Sequence, residues 1–207
     1  GGAAGISLLF DTSGANPLLK IGGRSVSTDA FQSRTATSPV PTGQYVSLGG
    51  VIDFALDTIT PYFQGVAENG GTVTFGNNAF TLGTPTGPDR IGAVAAVTIT
   101  TTRQMDGRIA ELSIWSGDIG AQAFQRLAAG WSAQLVAAQL GLTLLAYMRL
   151  LGTTSPEPDS VNGLSGTITG SIPQAAHPNI ITSLGGVLGV TELGTITAVE
   201  GVRRRYW

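Results

Sequence analysis

One stretch constrains this chain more than any other. Residues 106–130 read D-G-R-I-A-E-L-S-I-W-S-G-D-I-G-A-Q-A-F-Q-R-L-A-A-G, an alternating run, a turn and one short amphipathic helix. Side chains of a strand alternate with period two. Ala110, Leu112 and Ile114 therefore share one face, and Ile109, Glu111, Ser113 and Trp115 the other. The first set is wholly apolar, so that face is expected to look into a core. Beyond Ser116 and Gly117, the residues Ala123, Phe124, Leu127 and Ala128 fall on one helical stripe. Gly130 stands where a left-handed glycine would stop the helix, and Ile119 is placed to pack back on it as a staple.

The rest of the chain is turn-rich. Thirty of 207 residues are glycine and only 12% are charged, while 42% are hydrophobic. That is enough apolar material for a sizeable core and argues against wholesale disorder. It leaves little charge to keep strand edges apart, so partners are expected to cover part of the surface. A formal net charge of −2 argues against a global nucleic-acid-binding surface. The absence of cysteine removes disulfides, thiolate metal sites and cysteine nucleophiles without fixing a compartment. Residues 1–5 show no basic start leading into an apolar run, so no secretory signal is expected there. The charge-free run 131–148 is interrupted by Ser132, Gln134, Gln139, Gly141 and Thr143. It falls short of the roughly 20 apolar residues that span a bilayer, and no membrane crossing is expected.

In chain order, short strands are expected at 6–10, 24–31, 44–56, 58–65, 72–75, 79–82, 90–92, 93–102, 108–115, 142–151 and 166–172. The stretch 33–42, rich in Ser, Thr and Pro, reads as a loop. Gly49-Gly50 reads as a bulge or bend and Pro61 as an edge or bulge residue. Asn69-Gly70 is a hairpin-turn signal. Many strands with a single helix near 120–130 predict an all-β, two-sheet antiparallel sandwich. Residues 1–178 are expected to form one domain. Residues 179–207, Gly-rich and β-branched, are expected to form an extension serving as an inter-subunit arm.

Several segments resemble a known family. D-G-R-I-A-E-L-S-I-W, a turn and a helix ending L-A-A-G are similar to the final-strand region of concanavalin A-like (laminin-G-like) jelly-roll domains. G-Q-Y-V-S-L-G-G-V-I-D, I-T-P-Y-F-Q-G and D-R-I-G-A resemble earlier strands of the same fold. L-A-Y-M-R-L-L-G-T-T-S-P-E-P-D-S-V-N-G-L-S-G-T-I-T-G-S and then A-A-H-P resemble the segment after the helix in such domains of tailed bacteriophages and prophages. The likeness covers residues 45–178. It departs from the family pattern at Tyr45, Ser47, Gln64 and Gly120, where Trp, His, Asp or Asn, and Ser are usual. It implies a jelly-roll sandwich and a virion structural protein, either a capsid decoration (cement) or a tail-associated component. Such a protein would be homo-oligomeric, bound to other capsid or tail subunits, and away from membranes and nucleic acid. The alternative it implies is a carbohydrate-binding module or adhesin for host-surface glycan, for which Tyr62, Phe63, Trp115 and Trp131 are the aromatics to examine. Core packing is the expected role of Trp115 and Trp131.

Chemistry finds little purchase. Glycoside hydrolases of this fold carry paired carboxylates about 5–5.5 Å apart in the retaining case. Glu111 instead has Ile109 and Ser113 as its i±2 neighbours, so no catalytic residue is nominated. His177, the single histidine, cannot complete a multi-histidine zinc site and is expected to pack in a turn before Pro178. Of metals, calcium is the candidate, through Asp159 and Asn162. Two oxygen side chains fall short of six to eight ligands, and shaping a turn is their preferred role. Neither Gly22-Gly23 nor Gly49-Gly50 belongs to a phosphate loop, and no cofactor is expected. The terminal Arg203, Arg204, Arg205, Tyr206 and Trp207 are the candidate partner-binding residues, as a basic and aromatic docking arm.

Overall fold

The computed structural model describes residues 5–26, 28–79, 91, 108–151, 155–167 and 176–183. Over these residues the chain is all-β, with two short helices. A first sheet is the antiparallel meander β1 (Gly5–Asp11), β2 (Leu18–Arg24) and β3 (Gln32–Pro39). A second sheet has β4 (Leu48–Asp53) on one side of β5 (Thr58–Phe63), with β6 (Val66–Ala67) and β7 (Gly71–Thr72) in line along the other side. After β8 (Leu112–Trp115) come α1 (Gly120–Ala128) and α2 (Ala133–Leu140), then β9 (Leu144–Met148), which pairs back on β8. The short pair β10 (Glu157–Pro158) and β11 (Ser165–Gly166) follows.

The β4–β5 sheet is a shared wall. Toward β1–β3 it presents Leu48, Ile52 and Ile59, which join Leu19, Ile21, Ala36 and Phe75 in one cluster. Toward the helices it presents Val51 and Tyr62, packed with Ile119, Ala123, Phe124 and Val136 in another. Alternation along the strand produces this division. Gly49 and Gly50 lie at the pinch point, one for each side. A Cβ on Gly49 would stand 2.7 Å from the Phe124 ring, and one on Gly50 would stand 2.5 Å from Ile21. The glycine pair is thus neither bulge nor bend. The β4–β5 register runs unbroken through it, and the missing side chains let the two outer layers touch the wall.

Pro61, buried in the middle of β5, sits where the opposite side is broken between β6 and β7. Its carbonyl accepts the Glu68 N–H at 2.9 Å on that side. A residue's N–H and C=O point the same way in a strand, so the donor that proline lacks would have faced the break. The hairpin into β6 turns on Gln64 and Gly65, both at positive φ (50° and 79°), as a two-residue primed turn requires. Asn69-Gly70 is a kink between β6 and β7, which both run along β5; it is not a hairpin.

Other local expectations are corrected. The strand expected over 24–31 ends at Arg24. Beyond it the Ser25 hydroxyl donates to Asp29, and both residues accept from the segment after β7, through Asn77 N–H at 3.1 Å and Gly76 N–H at 3.1 Å. The loop expected over 33–42 is largely β3. Only Ala36 of that strand is buried, so its sequence carries almost no apolar signal. In β8 the core face is reversed, with Ile114 38% exposed and Trp115 packed on the helix-side cluster. Alternation itself holds, since Ser113 and Trp115 share a face and their side chains hydrogen-bond at 3.0 Å; it is the Trp115 face that meets the helices.

The α1 stripe is as expected. Ala123 and Phe124 are buried, Leu127 and Ile119 join the same cluster, and Gly130 ends the turn at φ 85°. Phe124 stacks on Tyr62 with centroids 3.7 Å apart, worth about 0.5–1.5 kcal/mol beyond area burial. The second helix was not expected. Ser132 caps it, accepting Leu135 N–H at 3.2 Å, and Gly141 closes it in the left-handed conformation; such a serine cap contributes about 1 kcal/mol. No described helix is long and apolar enough to cross a membrane.

Among the described residues, sheet partners are close in chain order, and the long crossovers of a jelly roll do not occur among these pairs. The strands expected at 79–82, 90–92, 93–102 and 166–172 lie largely outside the described residues, as do the end of the extension and Arg203, Arg204, Arg205, Tyr206 and Trp207.

Candidate functional site

Polar side chains converge at the outer end of the β8–β9 ribbon. Ser113 pairs with Tyr147, and one step beyond the named strand Glu111 N–H donates to Arg149 O at 3.2 Å. Directly opposed residues share a face. Glu111, two before Ser113, and Arg149, two after Tyr147, therefore project on the same side as both. The Tyr147 hydroxyl donates to Glu111 Oε2, and Arg149 Nε lies 3.3 Å from Glu111 Oε1. His177 completes the group, with Nε2 3.0 Å from Glu111 Oε1 and 3.0 Å from Arg149 O, and Nδ1 2.9 Å from Pro178 O.

Three donors of the same chain thus occupy the Glu111 carboxylate, which is 15% exposed at its side chain. Both His177 nitrogens lie within hydrogen-bond distance of oxygen atoms of the chain. Burial, followed by the bond to Glu111, pushes the Tyr147 phenol well above its ordinary range. It therefore stays protonated and donates. Nucleophilic catalysis requires a hydroxyl or thiol within reach of the base; here the described neighbours of the imidazole are a carboxylate and two carbonyls. What this arrangement does directly is hold the segment that carries His177.

That segment is held at two further points. Tyr45 donates its hydroxyl to Ala176 O at 3.0 Å. Ile181 forms a parallel bridge with Trp131, donating to Gly130 O at 2.8 Å and accepting from Ser132 N–H at 2.9 Å. The contact continues three residues past the boundary at 178 read from composition.

Asp159 braces the same ribbon from behind. Its carboxylate accepts N–H groups of Tyr147 at 2.7 Å, Val161 at 3.1 Å, Asn162 at 2.9 Å and Leu164 at 3.4 Å. Burial, the largest single influence, pushes its pKa up, but the backbone hydrogen bonds outweigh it and hold the carboxyl below its ordinary value. The Asn162 amide donates to Leu145 O at 2.6 Å. Asp159 and Asn162 therefore tie the 155–166 turn to β9, the turn-shaping role. Among the described residues no group of three or more His, Asp or Glu side chains is arranged to hold a metal.

The sequence places Ile109 and Ser113, not a second carboxylate, beside Glu111, and the structure joins Glu111 to His177, expected only in a turn before Pro178. Half of the signal was present: alternation in 145–149 places Tyr147 and Arg149 together on one face, as it does Glu111 and Ser113 in the facing strand. No local pattern points from there to His177. Of the aromatics, Tyr62, Trp115 and Trp131 belong to the helix-side cluster, with Arg126 4.9 Å over the Trp131 ring, and Phe63 is half-buried in β5.

No protein-family model matches the chain, and no curated protein matches it. Among solved structures the chain is similar to an S-layer domain-containing protein (residues 221–444) from Clostridium thermocellum ATCC 27405. Identity is 18% over 61% of this chain and 63% of that one, with a TM-score of 0.32. The chain thus spans less than two thirds of that structure, and a likeness at this TM-score carries no argument about fold or function.

Proposed function

We propose that this chain is a structural, assembly-forming β-sandwich of the concanavalin A-like jelly-roll type, a virion protein of a tailed bacteriophage carried on capsid or tail. The family assignment rests on the resemblance of residues 45–178. The observation that carries the assembly reading is the use to which the polar cluster is put. Glu111, Tyr147 and Arg149 spend their hydrogen bonds on His177 and one another, and Ile181 bonds to Gly130 and Ser132, so that the segment 176–183 is held at fixed points. An arm leaving a rigid anchor reaches a neighbouring subunit at lower entropic cost than one leaving a loose loop. In this reading Arg203, Arg204, Arg205, Tyr206 and Trp207 form the docking end, no cofactor takes part, and the interior polar groups are structural.

Co-sedimentation with assembled capsids or tails tests the proposal. The full chain is expected to sediment with one of them, and a chain lacking residues 201–207 to bind more weakly while keeping its far-ultraviolet circular dichroism. Saturable binding to a polysaccharide array, without association with capsids or tails, would favour the glycan-binding alternative and overturn the structural one.

A further inference from the structure

The two outer edges of the first sheet are treated differently. At β3 the edge is guarded, as natural edge strands usually are. Glu68 accepts N–H groups from Thr37 and Ser38, each at 2.8 Å; Asn69 donates to Thr35 O at 2.8 Å; and Pro39 ends the strand. The pairing of β3 with β2 also carries an irregularity between Leu18 and Lys20.

Among the described residues, β1 has none of these guards. The strand pairs with β2 over seven uninterrupted residues and, among the described residues, with no other strand. It has no proline and no bulge, and its single charge, Asp11, comes at its last position. Its inward face is also exposed at Ile6 and Leu8. The pairs Ile6↔Gly23, Leu8↔Ile21 and Phe10↔Leu19 put Ile6, Leu8 and Phe10 on the face that Ile21 and Leu19 turn toward β4. Ile21 is 4% exposed there, whereas Ile6 is 56% and Leu8 47% exposed. Beside the covered Ile21, the β1 side chains Ile6 and Leu8 thus leave an aliphatic patch exposed at the edge of the sheet.

We infer that β1 is a self-association edge, at which β1 of a second copy pairs antiparallel with it about a two-fold axis through Leu8. The strand is self-complementary about that point. Leu8 meets Leu8 of the second copy, Ile6 meets its Phe10, and Asp11 meets its Gly5, so the two carboxylates lie at opposite ends. With the axis perpendicular to the sheet, both inward faces lie on the same side, and Ile6, Leu8 and Phe10 of each copy form one apolar stripe. A contact in which one patch meets itself closes as a dimer and does not propagate. The result is one continuous six-stranded sheet across two molecules. The surface is argued from β1 alone and does not depend on the virion assignment.

Sedimentation velocity of the full chain over a hundredfold concentration range tests this inference, with hydrogen exchange of the β1 amides measured on the same samples. The wild type is expected to be a concentration-dependent dimer whose 6–10 amides exchange slowly only in the dimer. Leu8→Lys and, separately, Ile6→Lys are expected to give monomers with unchanged circular dichroism and at least tenfold weaker association. Leu56→Lys, at an exposed position between β4 and β5, should leave the dimer intact. A wild type that is monomeric throughout overturns the inference. So does a dimer surviving both β1 lysines, or slow exchange at 6–10 in a monomer, which would mean that the chain itself fills the edge. None of these outcomes alters the capsid-or-tail assay.

Discussion

The two layers packed on the β4–β5 wall reach it through adjacent glycines and yet finish differently. On the helix side, Phe124 drops into the space over Gly49 and stacks on Tyr62, and Trp115, Leu127, Trp131 and Leu142 close the rim. The chain's own 176–183 segment is fastened to that side through Trp131 and Gly130. On the sheet side, Ile21 fills the space over Gly50, but the layer runs on past the wall to an open edge at Ile6 and Leu8. One side holds the chain's own 176–183 segment. The other leaves Ile6 and Leu8 exposed, the patch from which self-association is inferred.

The comparison breaks most severely at the two side chains that enter the wall. Phe124→Ala is expected to cost about 3–5 kcal/mol, and Ile21→Ala about 2–3 kcal/mol because the smaller side chain removes less buried volume. Urea unfolding followed by tryptophan fluorescence measures both, and equal costs would erase the asymmetry. Adding a methyl group to the wall sharpens the test. Gly49→Ala and Gly50→Ala are each expected to cost about 1–3 kcal/mol through overpacking. Gly49→Ala should be nearly neutral once Phe124→Ala has emptied the facing space, and unchanged by Ile21→Ala. A double-mutant cycle reads this coupling directly.

Acid provides a gentler probe. Asp159 behind the β8–β9 ribbon and Glu68 at the β3 edge both sit below their ordinary pKa values. In each, burial pushes upward and hydrogen bonds from N–H and hydroxyl donors outweigh it. A carboxyl that protonates less readily folded than unfolded contributes stability above the ordinary carboxylate range, lost as pH falls through its folded value. The urea midpoint is therefore expected to hold from about pH 7 to about pH 5 and to fall below that. Asp159→Asn should flatten the fall more than Glu68→Gln, because Asp159 is the more buried group. A midpoint that rises on acidification would contradict this account.

How much of this was legible in the sequence depended on whether the signal was periodic. The α1 stripe and its stop at Gly130 could be read because a surface helix shows its buried face every three to four residues. The second helix could not. Leu135, Val136, Ala137 and Ala138 give it no polar face, although Ser132 and Gly141 mark its ends. In β3 the opposite holds. A strand whose buried contribution is a single alanine reads as a loop, and its outer edge is held by Glu68 and Asn69 from the link between β6 and β7. The Gly49-Gly50 pair was noticed, but its reason lies in Phe124 and Ile21, residues far apart in the chain and brought together only by folding. The candidate site was half legible for the same reason. Facing strands can be aligned on paper, but His177 arrives by a long return that no spacing encodes.

The central claim is that the Glu111 cluster anchors the 176–183 segment, and hydrogen exchange at Ile181 in wild type and Glu111→Gln measures it most directly. Losing the carboxylate that holds His177 should speed exchange at Ile181 about tenfold, the equivalent of about 1.4 kcal/mol. Exchange at Ile59 and Tyr62 in the wall should not change. Equal exchange at Ile181 in the two proteins would contradict the anchor and leave the cluster without the role assigned to it.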